Sequence, residues 1–569
     1  MSNEVRGSWI VAGLAAAGLV AAGSAWAEGP LQVPAGVVAP PLSVTKAKYF
    51  ESHPAAWTDF VARLPRQETQ GDAAPNDTSA HRAWEAVAAA PERGLCNPLL
   101  LTDGTVMVHR CSSPRWFKLT PDIAGNYADG TWTKLASLPV IGGVQYAPQY
   151  NASAVLPDGR VIIEGGEYNG GSAVWTNLGA IYDPVANKWT PVTAPSGSQW
   201  SRIGDAQSVV LANGSFMLGS CCGNPDVDAI LNPSTLTWTS TGAPNAGANY
   251  QDEQGYTLLP DNNVLTVDVW TNYATQGNAT NAEQYSPLTG VWTSAGNTPV
   301  SLPDPYACGT FEMGPVALRG DGTAVAFGAN TGCVQGATSD PTAIYNIAAG
   351  TWIAGPFVPS TCGSGSTTQC DLADAPAAVE PDGNVLFAAS SGFGNSPTHF
   401  FEFSPTNTIT QVADPAAHSA NSGAYYYNFL VLPNGQILST DFSKTAEVYT
   451  PSRRPGTKWA PVVEHVSATL VRGTTYSVRG KRLNGVSQGA YYGDDAQDAT
   501  NYPIVKVVNT ASGHVAYGRT VNFVSMSVDP KTQHNSAQFS LPAGVETGAS
   551  SFYVVANGIA SAPVSVTVQ

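Results

Sequence analysis

The sequence predicts an all-β protein: a repeat array followed by a separate β-unit. Three observations carry this reading: turn formers are abundant, charges are scarce, and one strand–turn–strand pattern recurs seven times. Glycine (57) and proline (42) make up 99 of the 569 residues, while charged residues are only 12%. Hydrophobic residues at 43% exclude wholesale disorder. A chain of this length suits several domains or one large array. With 42 acids against 26 bases the net charge is -16, and a nucleic-acid partner, which needs a basic face, is excluded.

Taken in order, residues 1–27 read as a secretory signal. Arg6 supplies the basic start, Trp9 to Ala22 the apolar stretch, and Ala25-Trp26-Ala27 the small-residue cleavage site before Glu28. The apolar stretch is shorter than the ~20 residues of a spanning helix, and no later stretch is long enough to span. The mature chain is therefore expected outside the cytoplasm, secreted or periplasmic. Residues 28–95 form a Pro-rich N-terminal extension, with a helix expected over 80–90.

The array occupies 96–460. Apolar runs flank seven tight turns: Asp103-Gly104, Asp158-Gly159, Asn213-Gly214, Asp261-Asn262, Asp321-Gly322, Asp382-Gly383 and Asn434-Gly435. Such dipeptides accept the positive φ of hairpin turns, so each marks two antiparallel strands. An aromatic- or leucine-x-proline segment follows most of them, as in Tyr182-Asp183-Pro184 and Tyr449-Thr450-Pro451. Next comes a strand with a tryptophan: Trp132, Trp189, Trp238, Trp292, Trp352 and Trp459, with Ile409 in the sixth unit. Consecutive turns lie 48 to 61 residues apart. Four short strands at that period predict a seven-bladed kelch-type β-propeller, its tryptophans wedged between blades. From 461 to 569 the repeat stops, and alternating strands with glycine-rich turns predict an immunoglobulin-like β-sandwich.

Eight cysteines in an exported chain predict four disulfides, although spacing alone allows 105 pairings. The repeat narrows them. Cys96 and Cys111 straddle one turn, Cys308 and Cys333 share an edge of the fifth unit, and Cys362 and Cys370 close a short loop. That leaves Cys221 and Cys222 to bond to each other, a strained bridge offering a flat apolar platform.

A secreted kelch propeller followed by an immunoglobulin-like (E-set) domain resembles galactose oxidase and glyoxal oxidase, the copper radical oxidases. The resemblance covers about 96–569 and rests on the repeated turn, Tyr-x-Pro and Trp pattern. It implies a copper site with a radical tyrosine on an inner strand, a Tyr-His pair in the last blade and a histidine from the terminal domain. Counted from the turns, the first position falls on Asp205 and the pair on Tyr425-Tyr426. The terminal histidine's place falls in Val524-Ser525-Met526-Ser527, on Met526. Copper(II) prefers imidazole among N and O ligands, and these positions offer none. No copper is expected.

The face opposite the turns is where the site is expected. First-strand entrances there contribute Tyr150, Asp205, Asp252-Glu253, Glu312, Asp374 and Tyr425-Tyr426. Second-strand exits contribute Glu167-Tyr168, Cys221-Cys222, Trp270, Asn272, Tyr273 and Phe393. Converging carboxylates repel one another unless something compensates. Three readings stay open: a hydrated or Ca²⁺-bound plug, a pair of catalytic carboxylates, or solvated rim charges. Aromatic faces beside Asn and acid groups suit sugar rings. The sequence thus points to carbohydrate or polysaccharide recognition without copper. Two alternatives remain: a glycan-cleaving hydrolase or lyase using Asp205, Glu253, Glu312 and Asp374 with Tyr425 or Tyr426, and a structural or adhesive surface protein.

Overall fold

Each hairpin turn of the repeat is the start of an antiparallel sheet of four or more strands in the computed structural model. The structure describes residues 54, 58, 83–221, 227–242, 244, 251, 253–269, 280–303, 312–329, 340–362, 369–392, 394–416, 418–492, 498–528 and 534–569. The second sheet illustrates the local logic. Ala152–Val155 and Val161–Glu164 are fully buried, mostly apolar strands around Asp158-Gly159, where Gly159 takes φ 83°. Gly179–Asp183 and Lys188–Val192 follow on the outside, the last burying only Trp189 and Val192.

Seven such sheets form among the described residues. Their first strands are Leu95–Leu100, Ala152–Val155, Ser208–Val210, Thr257–Leu258, Val316–Leu318, Pro376–Val379 and Asn428–Val431. Each touches the next, and the seventh touches the first, so the strands close a circle. The fold is all-β and compatible with a propeller.

The tryptophans show how neighbouring sheets are joined. Trp132, Trp189, Trp238, Trp292 and Trp352 each donate an indole N–H to a backbone carbonyl of the preceding sheet's outer end: Ala88, Ala136, Thr193, Gly242 and Ala295. One indole thus adds apolar area and satisfies an orphan carbonyl.

Two expectations for this region are corrected. No helix runs through the described residues 83–90 of the expected span 80–90; Trp84–Ala86 is a strand pairing antiparallel with Glu447–Tyr449. The N-terminal extension therefore contributes the outer strand of the seventh sheet, and the boundary at 96 is too late. Trp84 sits opposite Tyr449 and donates to Ala413 O, as the other tryptophans do to their carbonyls. Trp459, expected on that strand, lies instead in a short 3₁₀ turn, Thr457–Trp459, against the Gly383 turn. The free edge of Glu447–Tyr449 supplies backbone partners that outweigh the helix preference of an alanine-rich segment.

Residues 462–568 form one continuous sheet with Val462–His465, Thr475–Lys481, His534–Ser540, Val515–Val521, Ile504–Asn509, Gly548–Ala556 and Val564–Val568 in that order, ending at Thr469–Leu470. The strands of Phe539 and Phe552 are three places apart, about 14 Å if flat. Their rings are 5.3 Å apart, so the sheet curls around its own core. It packs on the turn edge of the circle. Tyr517 covers Gly104, Phe523 N–H donates to Pro157 O, and Met526 N–H donates to Ala212 O. From there one segment reaches back into the circle, where Ala490–Tyr492 pairs with Pro376, Ala377 and Ala378 of the sixth sheet.

Cys96–Cys111 and Cys362–Cys370 are bridged as the repeat predicts, and no described cysteine is free. Cys221 is also disulfide-bonded. Cys222, Cys308 and Cys333 lie outside the described residues, as does the signal segment 1–27. No described helix is long and apolar enough to cross a membrane.

Candidate functional site

The strand entrances carry unusual backbone. Tyr150, Glu253 and Asp374 take positive φ, at 51°, 68° and 50°. Each stands eight residues before its hairpin turn, so the same bend recurs in three sheets. Left-handed backbone at a bulky or charged residue costs about 1–3 kcal/mol and clusters at working sites.

Glu253, Glu312 and Asp374 converge. Each offers a carboxylate oxygen, and the three oxygens lie within 4.8 Å of one another. Glu253 and Glu312 are buried at 5% and 3% exposure, with Asp374 partly buried. Charges so placed are not rim charges in water, which removes that reading for the trio. Asp205 is not in this group. It is buried beside Cys221, whose sulfur is 2.8 Å from its Oδ1.

Beside the acids lies a cluster of phenols. Tyr425 and Tyr426, in the 3₁₀ turn Ala424–Tyr426, have ring centroids 4.3 Å apart. Tyr150 stacks parallel to Tyr492 at 6.4 Å and meets Tyr168 edge-on at 6.2 Å. Phe442 packs on both Tyr150 and Tyr426. Burial first, and neighbouring phenols and acids second, push the hydroxyls of Tyr150, Tyr168 and Tyr425 well above the usual phenol range. Among those acids are Asp374 and Glu167 for Tyr150, and Glu167 and Asp205 for Tyr168, which ties the phenols to the acidic entrances. The phenols are therefore protonated hydrogen-bond donors at neutral pH. Trp270, Asn272, Tyr273 and Phe393, together with Asp252, lie outside the described residues.

Two participants were missed in the sequence. Tyr492 comes from the segment threaded into the circle, and its hydroxyl donates to Tyr425 O at 2.7 Å. Met526, the residue expected there, is instead buried against Ala212 at the turn edge, on the opposite side. The Tyr491-Tyr492 pair was the only available signal. Phe442 follows the last strand exit and carried none.

Four of the described histidines are hydrogen-bonded: His109 to Ser113 O, His399 to Asp414, His514 to Glu546 and His534 to Glu464. His418 faces Asp441, and His465 is exposed on Val462–His465. What the trio and the phenols present is oxygen only, a set suited to hard cations such as Ca²⁺ or Mg²⁺. A second metal-like cluster, Cys96, His109 and Cys111, has its thiols consumed in the disulfide.

No family model and no curated protein matches the chain. Among solved structures it is similar to a fungal alcohol oxidase of the AA5 family in complex with copper. That match has 12% identity and a TM-score of 0.47, covering 85% of this chain and 99% of the other. It is also similar to the extracellular domain assigned to a hybrid two-component system of B. thetaiotaomicron, at 8% identity and a TM-score of 0.41. The chain spans only 59% of that structure's length, with 86% of its own residues covered.

Proposed function

We propose that the seven sheets are blades of a kelch-type propeller and that the curled terminal unit is an immunoglobulin-like domain. We further propose that the exported chain recognises carbohydrate, without copper, at the face holding the strand entrances. The observation that carries this reading is the meeting of a buried acidic trio with Tyr150, Tyr168, Tyr425, Tyr426 and Tyr492. Protonated phenols donate to sugar oxygens, carboxylates accept from sugar hydroxyls, and ring faces stack on C–H patches. Glycan-array binding of the wild type and of Tyr150→Ala is the test. Selective binding that the variant weakens supports the reading, and an array without any bound glycan overturns it.

A second reading, glycan cleavage, is favoured by one distance. Carboxylates within 4.8 Å approach the ~5–5.5 Å separation of retaining glycosidases. Reducing-end and unsaturated-uronate assays on the bound glycans separate cleavage from binding.

A further inference from the structure

A buried network next to the trio has no part in the reading above. Asp228 begins the strand Asp228–Asn232 and is completely buried. Its Oδ1 accepts from Tyr256 Oη at 2.8 Å and from Gln251 Nε2 at 3.3 Å, and its Oδ2 accepts from Trp292 Nε1 at 2.9 Å. Gln251 Nε2 also donates to Val227 O at 2.9 Å and Ser220 Oγ at 3.2 Å. Tyr256 Oη lies 3.1 Å from Gln251 Oε1.

Gln251 and Tyr256 bracket Glu253, the residue with φ 68°. Between them Gln254 Oε1 accepts from Val269 N–H. A strained bend persists only where its surroundings over-determine it. Here the surroundings are two side chains drawn to one carboxylate from either side of the bend.

We propose that Asp228 is the positioning residue for Glu253: by holding Gln251 and Tyr256 together it keeps the Glu253 bend, and with it the carboxylate, beside Glu312 and Asp374. This rests on the trio being the working part of the carbohydrate site. The clamp is also sensitive to protons. Burial pushes the Asp228 carboxyl up to about 7, against the hydrogen bonds of Tyr256, Trp292 and Gln251 and with some help from Glu283. The titratable groups facing it among the described residues are Tyr256, Glu283 and Tyr285. Ionised, Asp228 accepts from three donors. Protonated, one of its oxygens must itself donate, and Tyr256 Oη turns to Gln251 Oε1, so the pair stays bonded to each other but loses its anchor on Asp228 and the bend is released from the strand Asp228–Asn232.

Hydrogen–deuterium exchange of the full chain, read at the peptide covering 251–258 and corrected for intrinsic rates, tests this without any glycan. Exchange should be about tenfold faster one to two pH units below the Asp228 midpoint than above it. In Asp228→Asn it should be fast throughout, with no pH dependence. Tyr256→Phe keeps the ring but removes a donor to the carboxylate, so the midpoint should move to higher pH, which a merely structural loosening would not do. An unchanged peptide in Asp228→Asn, or an unmoved midpoint in Tyr256→Phe, overturns the assignment. An empty glycan array overturns the carbohydrate reading alone and leaves exchange to decide on Asp228.

Discussion

Glu312→Gln removes one charge from the trio while keeping its size. Three oxygens within 4.8 Å make three like-charge pairs when all are ionised, and Glu312 takes part in two of them. At an effective dielectric of about 20, each pair at that distance costs roughly 3 kcal/mol. Proton uptake and the partial exposure of Asp374 reduce this, so about 1–3 kcal/mol of relief is expected for the pair of contacts. Without divalent cations, Glu312→Gln should therefore melt a few degrees above the wild type. Millimolar Ca²⁺ should stabilise the wild type and have little effect on the variant, because screening by the cation and deletion of the charge relieve the same repulsion. The measurement is a thermal scan in chelator and in Ca²⁺. A variant less stable than wild type in chelator, or equal Ca²⁺ responses from both proteins, would refute repulsion as the dominant force in the trio.

Four other outcomes are expected. Copper reconstitution followed by metal analysis should give no stoichiometric copper, and galactose or glyoxal should yield no peroxide, because Asp205, Tyr426 and Met526 stand where the resembling oxidases place their ligands. Non-reducing peptide mapping should recover Cys96–Cys111 and Cys362–Cys370, with Cys221 joined to Cys222; a Cys221–Cys308 peptide would show the hairpin-edge pairing to be wrong. Burial pushes the His109 imidazole down from 6.5 to about 4, against its bond to Ser113. The unfolded chain therefore takes up that proton first. Stability should fall as pH drops from about 6.5 to 4, by ~3 kcal/mol from this group, and His109→Phe should flatten that limb of the pH–stability curve. Gly104→Ala should cost about 2–4 kcal/mol by thermal melting, since its φ is 77° and a Cβ would stand 2.4 Å from the Tyr517 ring.

The parts of this molecule that were legible in the sequence are those set by local chemistry. An Asp-Gly turn between apolar runs needs nothing distant to become a hairpin, so all seven first hairpins could be placed. Counting eight or nine residues back from a turn located Glu253, Glu312 and Asp374, because the strand length between turn and entrance is fixed by the sheet. Trp84 was not legible. It completes a sheet with Glu447–Tyr449, and no local pattern announces a partner so far along the chain. Tyr492 was hidden for a related reason: its place comes from the pairing of Ala490–Tyr492 with the sixth sheet, whose edge any short β-prone segment of the terminal unit could have met. Asp228 was invisible because a buried acid looks like any surface acid until Tyr256, Gln251 and Trp292 are seen around it.

The strand Trp84–Ala86 makes the wheel depend on both ends of its rim. Trp84 reaches a carbonyl 329 residues further on, so nothing can seal the circle until nearly the whole array has been synthesised. Until then the edge of Glu447–Tyr449 and the short segment at Trp84 wait unpaired, an interval in which either edge can pair wrongly. Once sealed, the seam joins strands from opposite ends of the array, and it is three residues long. Opening should start there, and cutting the chain just after Ala86 would leave the first and seventh sheets held to each other only by non-covalent contacts, without touching a single residue of the candidate site.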